Sequence, residues 1–134
     1  MNTKNKIIGY LGHGLVLLSL LSLVYVSFMA WLNPREVMAL VREKLTNTDS
    51  LSSIRGVYGG TGLFVVSVLC YLWSTGLTIT LRFLSMFWLL YSVSRVLTWA
   101  IDGPLGEFGT QWLVIELFFG ISCLTLSYLV TRHR

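Results

Sequence analysis

The sequence predicts an all-α fold, a polytopic membrane four-helix bundle with a short interfacial amphipathic helix between spans 1 and 2. Three observations carry that reading. First, 54% of the 134 residues are hydrophobic and only 12% are charged, about half the charge of an ordinary soluble domain, which is roughly 25%. A soluble domain of this size leaves too much surface in water to hide so many apolar side chains. Second, four apolar stretches each approach the ~20 residues that a spanning helix needs. Third, these stretches lack the period-two alternation of a membrane β-barrel. Soluble enzymes, disordered tails and disulfide scaffolds are excluded as classes.

The whole chain, 1–134, reads as a single integral membrane domain with spans at about 7–32, 54–73, 77–100 and 110–130. The first span follows Lys4 and Lys6, as a signal peptide would. Its apolar run is longer than the roughly 7–15 residues of a cleaved leader, so the span is expected to be retained. His13 is its one markedly polar interior side chain. Asn33, Pro34 and Glu36 then give the start signals of a helix. Val37, Val41 and Leu45 recur every four residues, predicting an amphipathic helix over about 34–46 in the interface. The segment Thr46-Asn47-Thr48-Asp49-Ser50 supplies a cap for the second span. Ser74-Thr75-Gly76 turns the chain into the third, and Asp102-Gly103-Pro104 breaks that span before the fourth.

Lys and Arg set membrane orientation. Lys4, Lys6, Arg82, Arg132 and Arg134 fall on one side, and Arg35, Arg42, Lys44 and Arg55 on the other, with Arg95 near that second side. The margin is narrow and favours cytoplasmic N and C termini. All six acids fall in the opposite, outer half.

Helices in lipid associate through small residues and shared polar contacts. The expected inward faces are therefore Gly12, Ser19 and Ser22 in span one and Gly56, Gly60, Ser67 and Ser74 in span two. In span three they are Arg82, Ser85, Ser92 and Arg95, and in span four Gly109, Glu116, Gly120, Cys123 and Ser127. An ionisable side chain inside a span costs several kcal/mol, roughly 2.5–3.5 at the centre. At 1.5 Å per residue, Arg95 and Glu116 lie roughly 7 and 9 Å below the outer ends of their spans. Equal depth and shared inward faces predict that they pair, with Arg55 or Tyr58 as a further partner. Asp102 and Glu107 share the same leaflet.

The element Arg55-Gly56-Val57-Tyr58-Gly59-Gly60 resembles the R-x-x-Y-G-G element of a family of small bacterial membrane proteins, domain of unknown function 4345, which is similar to the wider DoxX-like four-helix proteins. Arg95 followed by Asp102-Gly103-Pro104 resembles that family's second element, and Glu116 matches the acid of its last span. The resemblance covers spans two to four. It implies a four-helix membrane bundle in the bacterial inner membrane and brings no activity. It sets Arg55, Tyr58, Arg95, Asp102 and Glu116 together as the candidate ligand-binding residues.

No catalytic residue, metal site or cofactor is expected. Cys70 and Cys123 stand alone, without zinc spacing. There is no phosphate loop and no serine nucleophile motif. The net charge of +4 suits anionic lipid, so nucleic acid need not be invoked. The leading expectation is a non-enzymatic protein whose outer polar pocket binds a small polar, anionic or lipid-like ligand. The alternative is an accessory or scaffold subunit in which the charges only lock helix packing. The expected partners are the bilayer and either a second copy or another membrane protein. An enzyme using Glu116 or Asp102 as an acid–base group ranks third.

Overall fold

The structure, a computed structural model, describes residues 3–132, with only the backbone of Lys4. The expected inner-side cations Lys4 and Arg134, and the tail residue His133, thus have side chains outside the described set. The fold is all-α, with no strand among the described residues. In chain order the elements are α1 (Thr3–Leu32), α2 (Pro34–Ala39), α3 (Thr48–Ile54), a π-helical segment (Arg55–Gly60), α4 (Thr61–Thr75), α5 (Leu77–Asp102) and α6 (Glu107–Arg132).

Four helical stretches are long and apolar enough to cross a membrane: Asn5–Leu32, Thr48–Thr75, Leu77–Asp102 and Glu107–Arg132. These match the four expected spans and extend past them. Each has 26 or 28 residues, roughly 40 Å of helix at 1.5 Å per residue, against a hydrocarbon core of about 30 Å. The second span starts at Thr48, not near Ile54, because α3, the π segment and α4 run on as one helix. Asn47 starts it: its side-chain oxygen accepts from the Ser50 backbone N–H at 2.8 Å.

The interfacial helix is shorter than expected. Pro34 opens α2 and Glu36 sits in its first turn, but the Asn33 side chain makes no capping bond. Arg42 adopts a left-handed backbone, φ 62. Its N–H bonds Ala39 O at 3.0 Å, and the Glu43 N–H bonds Met38 O at 3.0 Å. That pair of bonds is the Schellman arrangement that closes a helix, with arginine where glycine is usual. The closure falls before Leu45, so the four-residue apolar repeat through Leu45 never completes a helical face.

Two compact units divide the chain. One comprises Met1–Leu17 and Leu72–Arg134, the other Leu18–Tyr71. In the first unit, α5 and α6 form a closely packed antiparallel hairpin. Thr80, Leu81, Leu84, Ser85, Trp88 and Ser92 of α5 are buried, as are Glu116, Gly120, Cys123 and Ser127 of α6. Trp88 meets Phe119 with ring centroids 5.2 Å apart. A Cβ on Gly120 would lie 2.8 Å from Leu89 side-chain carbons, so the missing side chain is what lets the helices approach. Gly12 of α1 does the same against Leu77 and Leu81. The Trp73 indole N–H donates to His13 Nδ1 at 2.8 Å, a hydrogen bond between α4 and α1. The turn at Gly103, φ 107, needs a residue without a Cβ.

In the second unit, the buried positions include Ser19, Ser27, Ala30, Val37, Gly59 and Leu69. Here the expected face of span two is corrected. Gly56 and Ser67 are exposed, and Gly59 and Leu69 are buried instead. The Ser67 hydroxyl donates to Leu63 O at 2.9 Å. A serine that satisfies itself on its own helix can face lipid, so serine position does not mark an inward face. Arg82 of α5 is likewise exposed, against expectation.

Candidate functional site

The hairpin of α5 and α6 carries the best-defined polar constellation. Arg95 lies seven residues before the end of α5, and Glu116 nine residues after the start of α6. Because the helices run antiparallel from the 103–106 loop, those spacings bring the two side chains level. Arg95 Nε donates to Glu116 Oε2 at 2.8 Å, and Arg95 Nη2 donates to Glu116 Oε1 at 2.8 Å. This parallel, two-bond fork is the strongest form of the arginine–carboxylate pair. It is the one ion pair among the described residues. The Glu116 side chain is 2% exposed and that of Arg95 23%. The Arg95 guanidinium carbon also stands 6.0 Å from the centroid of the Phe108 ring, at the outer limit of a cation–π contact.

The pair has a defined chemical capacity. Both oxygens of Glu116 accept from Arg95. Arg95 has five N–H groups and spends two. The remaining donors belong to a partly exposed side chain and face no second carboxylate. They suit a polar or anionic acceptor. Around the fork, Ser92 closes its hydroxyl on Trp88 O at 3.1 Å, leaving the arginine as the available donor.

Asp102 ends α5, is exposed and makes no ion pair among the described residues. Arg55 and Tyr58 belong to the second unit. Arg55 Nε donates to Trp31 O at 3.0 Å. Trp31 lies in the last turn of α1, where carbonyls lack helical partners, so Arg55 acts as a cationic cap on a helix C-terminus. Four residues on, a Cβ at Gly59 would overlap the Trp31 indole. The R-x-x-Y-G-G element therefore holds Trp31 at two points, by its carbonyl and by its ring. The backbone there is π-helical, and the Thr61 N–H reaches Gly56 O five residues back. Such wide turns recur at functional positions in helices. Tyr58 is 38% exposed.

Sequence reasoning missed a groove in the hairpin at the end opposite Arg95. It has a volume of about 630 Å³ and is lined by Arg82, Ser85, Leu124, Thr125, Ser127 and Tyr128. The signal was present: Arg82 is a charge inside a span that has no acid near it in sequence. Among the described residues no group of three or more His, Cys, Asp and Glu side chains is placed to hold a metal. Cys70 and Cys123 are both free, the first exposed and the second buried.

No curated protein and no solved structure matches this chain. The model of one family does, over residues 13–127, which takes in the R-x-x-Y-G-G element, Arg95 and Glu116. On that match, the chain belongs to the family catalogued as domain of unknown function (DUF4345).

Proposed function

We propose that this is a non-enzymatic multi-pass membrane protein in which Arg95, held by Glu116, binds the polar or anionic group of a small or lipid-like ligand. The observation that carries the reading is the geometry of the fork. One face of the guanidinium is spent on a buried carboxylate, and the rest stays reachable near the end of the hairpin. A fixed carboxylate also orients the arginine, so that little side-chain entropy remains to be lost on binding. The resemblance of the ordered elements to DoxX-like four-helix proteins supports a place in the bacterial inner membrane. The Lys and Arg distribution supports cytoplasmic termini. A homodimer would supply the further walls that four spans lack for a carrier.

The second reading is an accessory or scaffold subunit. It is favoured by the burial of Glu116 and by the capping role of Arg55, both of which are also what packing requires. One experiment separates the two. The double variant Arg95→Met/Glu116→Met removes the charges together and leaves none buried alone. Purified in detergent, it is compared with the native chain for thermal stabilisation across a panel of lipids and polar metabolites. The ligand-binding reading expects a compound that raises the native midpoint and has no effect on the folded double variant. A panel that stabilises both proteins equally, or neither, returns the pair to a packing lock.

A further inference from the structure

The groove at the opposite end of the hairpin is independent of the Arg95–Glu116 fork. Its two sides are α5, through Arg82 and Ser85, and α6, through Leu124, Thr125, Ser127 and Tyr128. Its deep hydroxyls are already committed. Ser85 Oγ donates to Arg82 O at 2.9 Å, and Ser127 Oγ to Leu124 O at 2.7 Å. The exposed groups on its rim are Arg82, Thr125 and Tyr128. The Arg82 guanidinium, the Thr125 hydroxyl and the Tyr128 hydroxyl make no side-chain hydrogen bond, ion pair or ring contact among the described residues. That sets Thr125 apart from Ser67, Ser92, Ser94, Thr98 and Thr131, which all bond back along their own helices. Three donors, one of them a permanent cation, thus border one cavity.

Among the described residues, no acidic side chain stands near this cation. The acids of the hairpin are Asp102, Glu107 and Glu116. The last of these is committed to Arg95 and lies nine residues from Thr125, roughly 14 Å along the helix. Arg82 itself is five residues into α5, roughly 8 Å at 1.5 Å per residue, the depth at which a long side chain reaches the head-group layer. Arg132 follows Tyr128 by one turn on the same face of α6. Beside the groove, Ile79, Met86, Ile121 and Leu124 are exposed apolar side chains, a surface for acyl chains.

We propose that this groove binds the phosphodiester head group of an anionic glycerophospholipid. Arg82 pairs with the phosphate, the Thr125 and Tyr128 hydroxyls donate to its free oxygens or to the glycerol, and Arg132 supplies the surplus positive charge that selects a net anionic lipid. A permanent cation flanked by two hydroxyls free to donate matches a phosphodiester, which is all acceptor. A zwitterionic lipid would bring its own cation against Arg82 and Arg132.

Native mass spectrometry of the full chain, released from detergent with equimolar phosphatidylglycerol and phosphatidylcholine, tests this. The expected result is retention of phosphatidylglycerol at one tight site, with phosphatidylcholine at least about ten-fold weaker. Arg82→Gln should lower phosphatidylglycerol retention by about ten-fold, the factor that corresponds to 1.4 kcal/mol. Thr125→Val/Tyr128→Phe, which leaves the charge in place, should lower it about three-fold and covers the case in which Arg82→Gln does not fold. Arg95→Met/Glu116→Met leaves the lining of the groove unchanged, so loss of phosphatidylglycerol in that variant with full retention in folded Arg82→Gln would place the lipid at the fork and overturn the proposal. Equal retention of the two lipids would overturn the proposal, as would unchanged binding in the folded Arg82 variant or in the hydroxyl variant. Displacement by millimolar inorganic phosphate alone would overturn it in favour of a soluble anion.

Discussion

Arg95 and Arg82 sit thirteen residues apart on one helix, both within a membrane span, and their surroundings differ in every respect that matters energetically. Arg95 meets a carboxylate that is 2% exposed and forms two bonds of 2.8 Å to it. Arg82 is exposed on the rim of a groove lined by four hydroxyl side chains and Leu124, with no carboxylate among them. The difference follows from the distribution of acids: none occurs between residues 50 and 101 or after Glu116. One end of the hairpin therefore carries a charge pair joined by two hydrogen bonds. The other carries a charge left open to the bilayer. The lesson is that an intramembrane arginine has to be read together with the nearest acid, because the partner decides how many of its donors are left and how firmly they are aimed.

The largest effect should come from breaking the fork on one side. Arg95→Met leaves Glu116 buried and unpaired, and a broken buried pair costs about 3–5 kcal/mol. Thermal unfolding in detergent should show a correspondingly large fall in midpoint. Glu116→Met should cost less, because the partly exposed Arg95 can turn toward the head groups.

Next in size is the close approach of α5 and α6. Gly120→Ala places a methyl 2.8 Å from Leu89 side-chain carbons and 3.3 Å from the Leu89 backbone nitrogen. The backbone cannot yield as a side chain can, and overpacking of this kind costs about 1–3 kcal/mol. Melting of the purified variant measures it. An unchanged midpoint would mean that the helices are not so closely packed.

Arg55→Gln tests the other unit. It removes the bond to Trp31 O, and the loss should be about 1 kcal/mol, the net worth of an ordinary hydrogen bond. Trp31 is one of five tryptophans, so its emission is read with the other four replaced by Phe, and it should shift on adding Arg55→Gln.

The smallest effect is expected at the contrasting arginine. In lipid-free detergent, Arg82→Gln should change stability by less than about 0.5 kcal/mol, as for surface substitutions that break no partner. A loss as large as that of Arg95→Met would erase the contrast between the two ends.

How much of this was written in the sequence differs from element to element. The four spans were legible because apolar length is a local property. The Arg95–Glu116 pair was legible because two charges at one depth in lipid have few other solutions. The buried stripe Glu116, Gly120, Cys123 and Ser127 followed from helical spacing in a helix that stays regular. The face of the second span did not follow. Ser67 meets its own hydrogen-bonding need at Leu63 O, and the Arg55–Gly60 segment departs from α geometry, so neither residue type nor a 3.6-residue count locates the buried side. Arg55 was placed with the outer charges by its depth and by the resemblance of its R-x-x-Y-G-G element. Its carbonyl partner, Trp31 O, is a backbone atom at a helix end and leaves no signature in residue type. The short α2 was hidden for a similar reason, since Arg42 takes the left-handed position that usually announces itself as glycine.

The central claim is that Arg95 and Glu116 act as one unit, and a double-mutant cycle tests it most directly. Unfolding free energies are measured in one detergent for the native chain, Arg95→Met, Glu116→Met and the double variant. The fork predicts that the double variant recovers most of what Arg95→Met loses, with a coupling energy of at least about 2 kcal/mol, within the range of groups in direct contact. Losses that simply add, with coupling near zero, would contradict it.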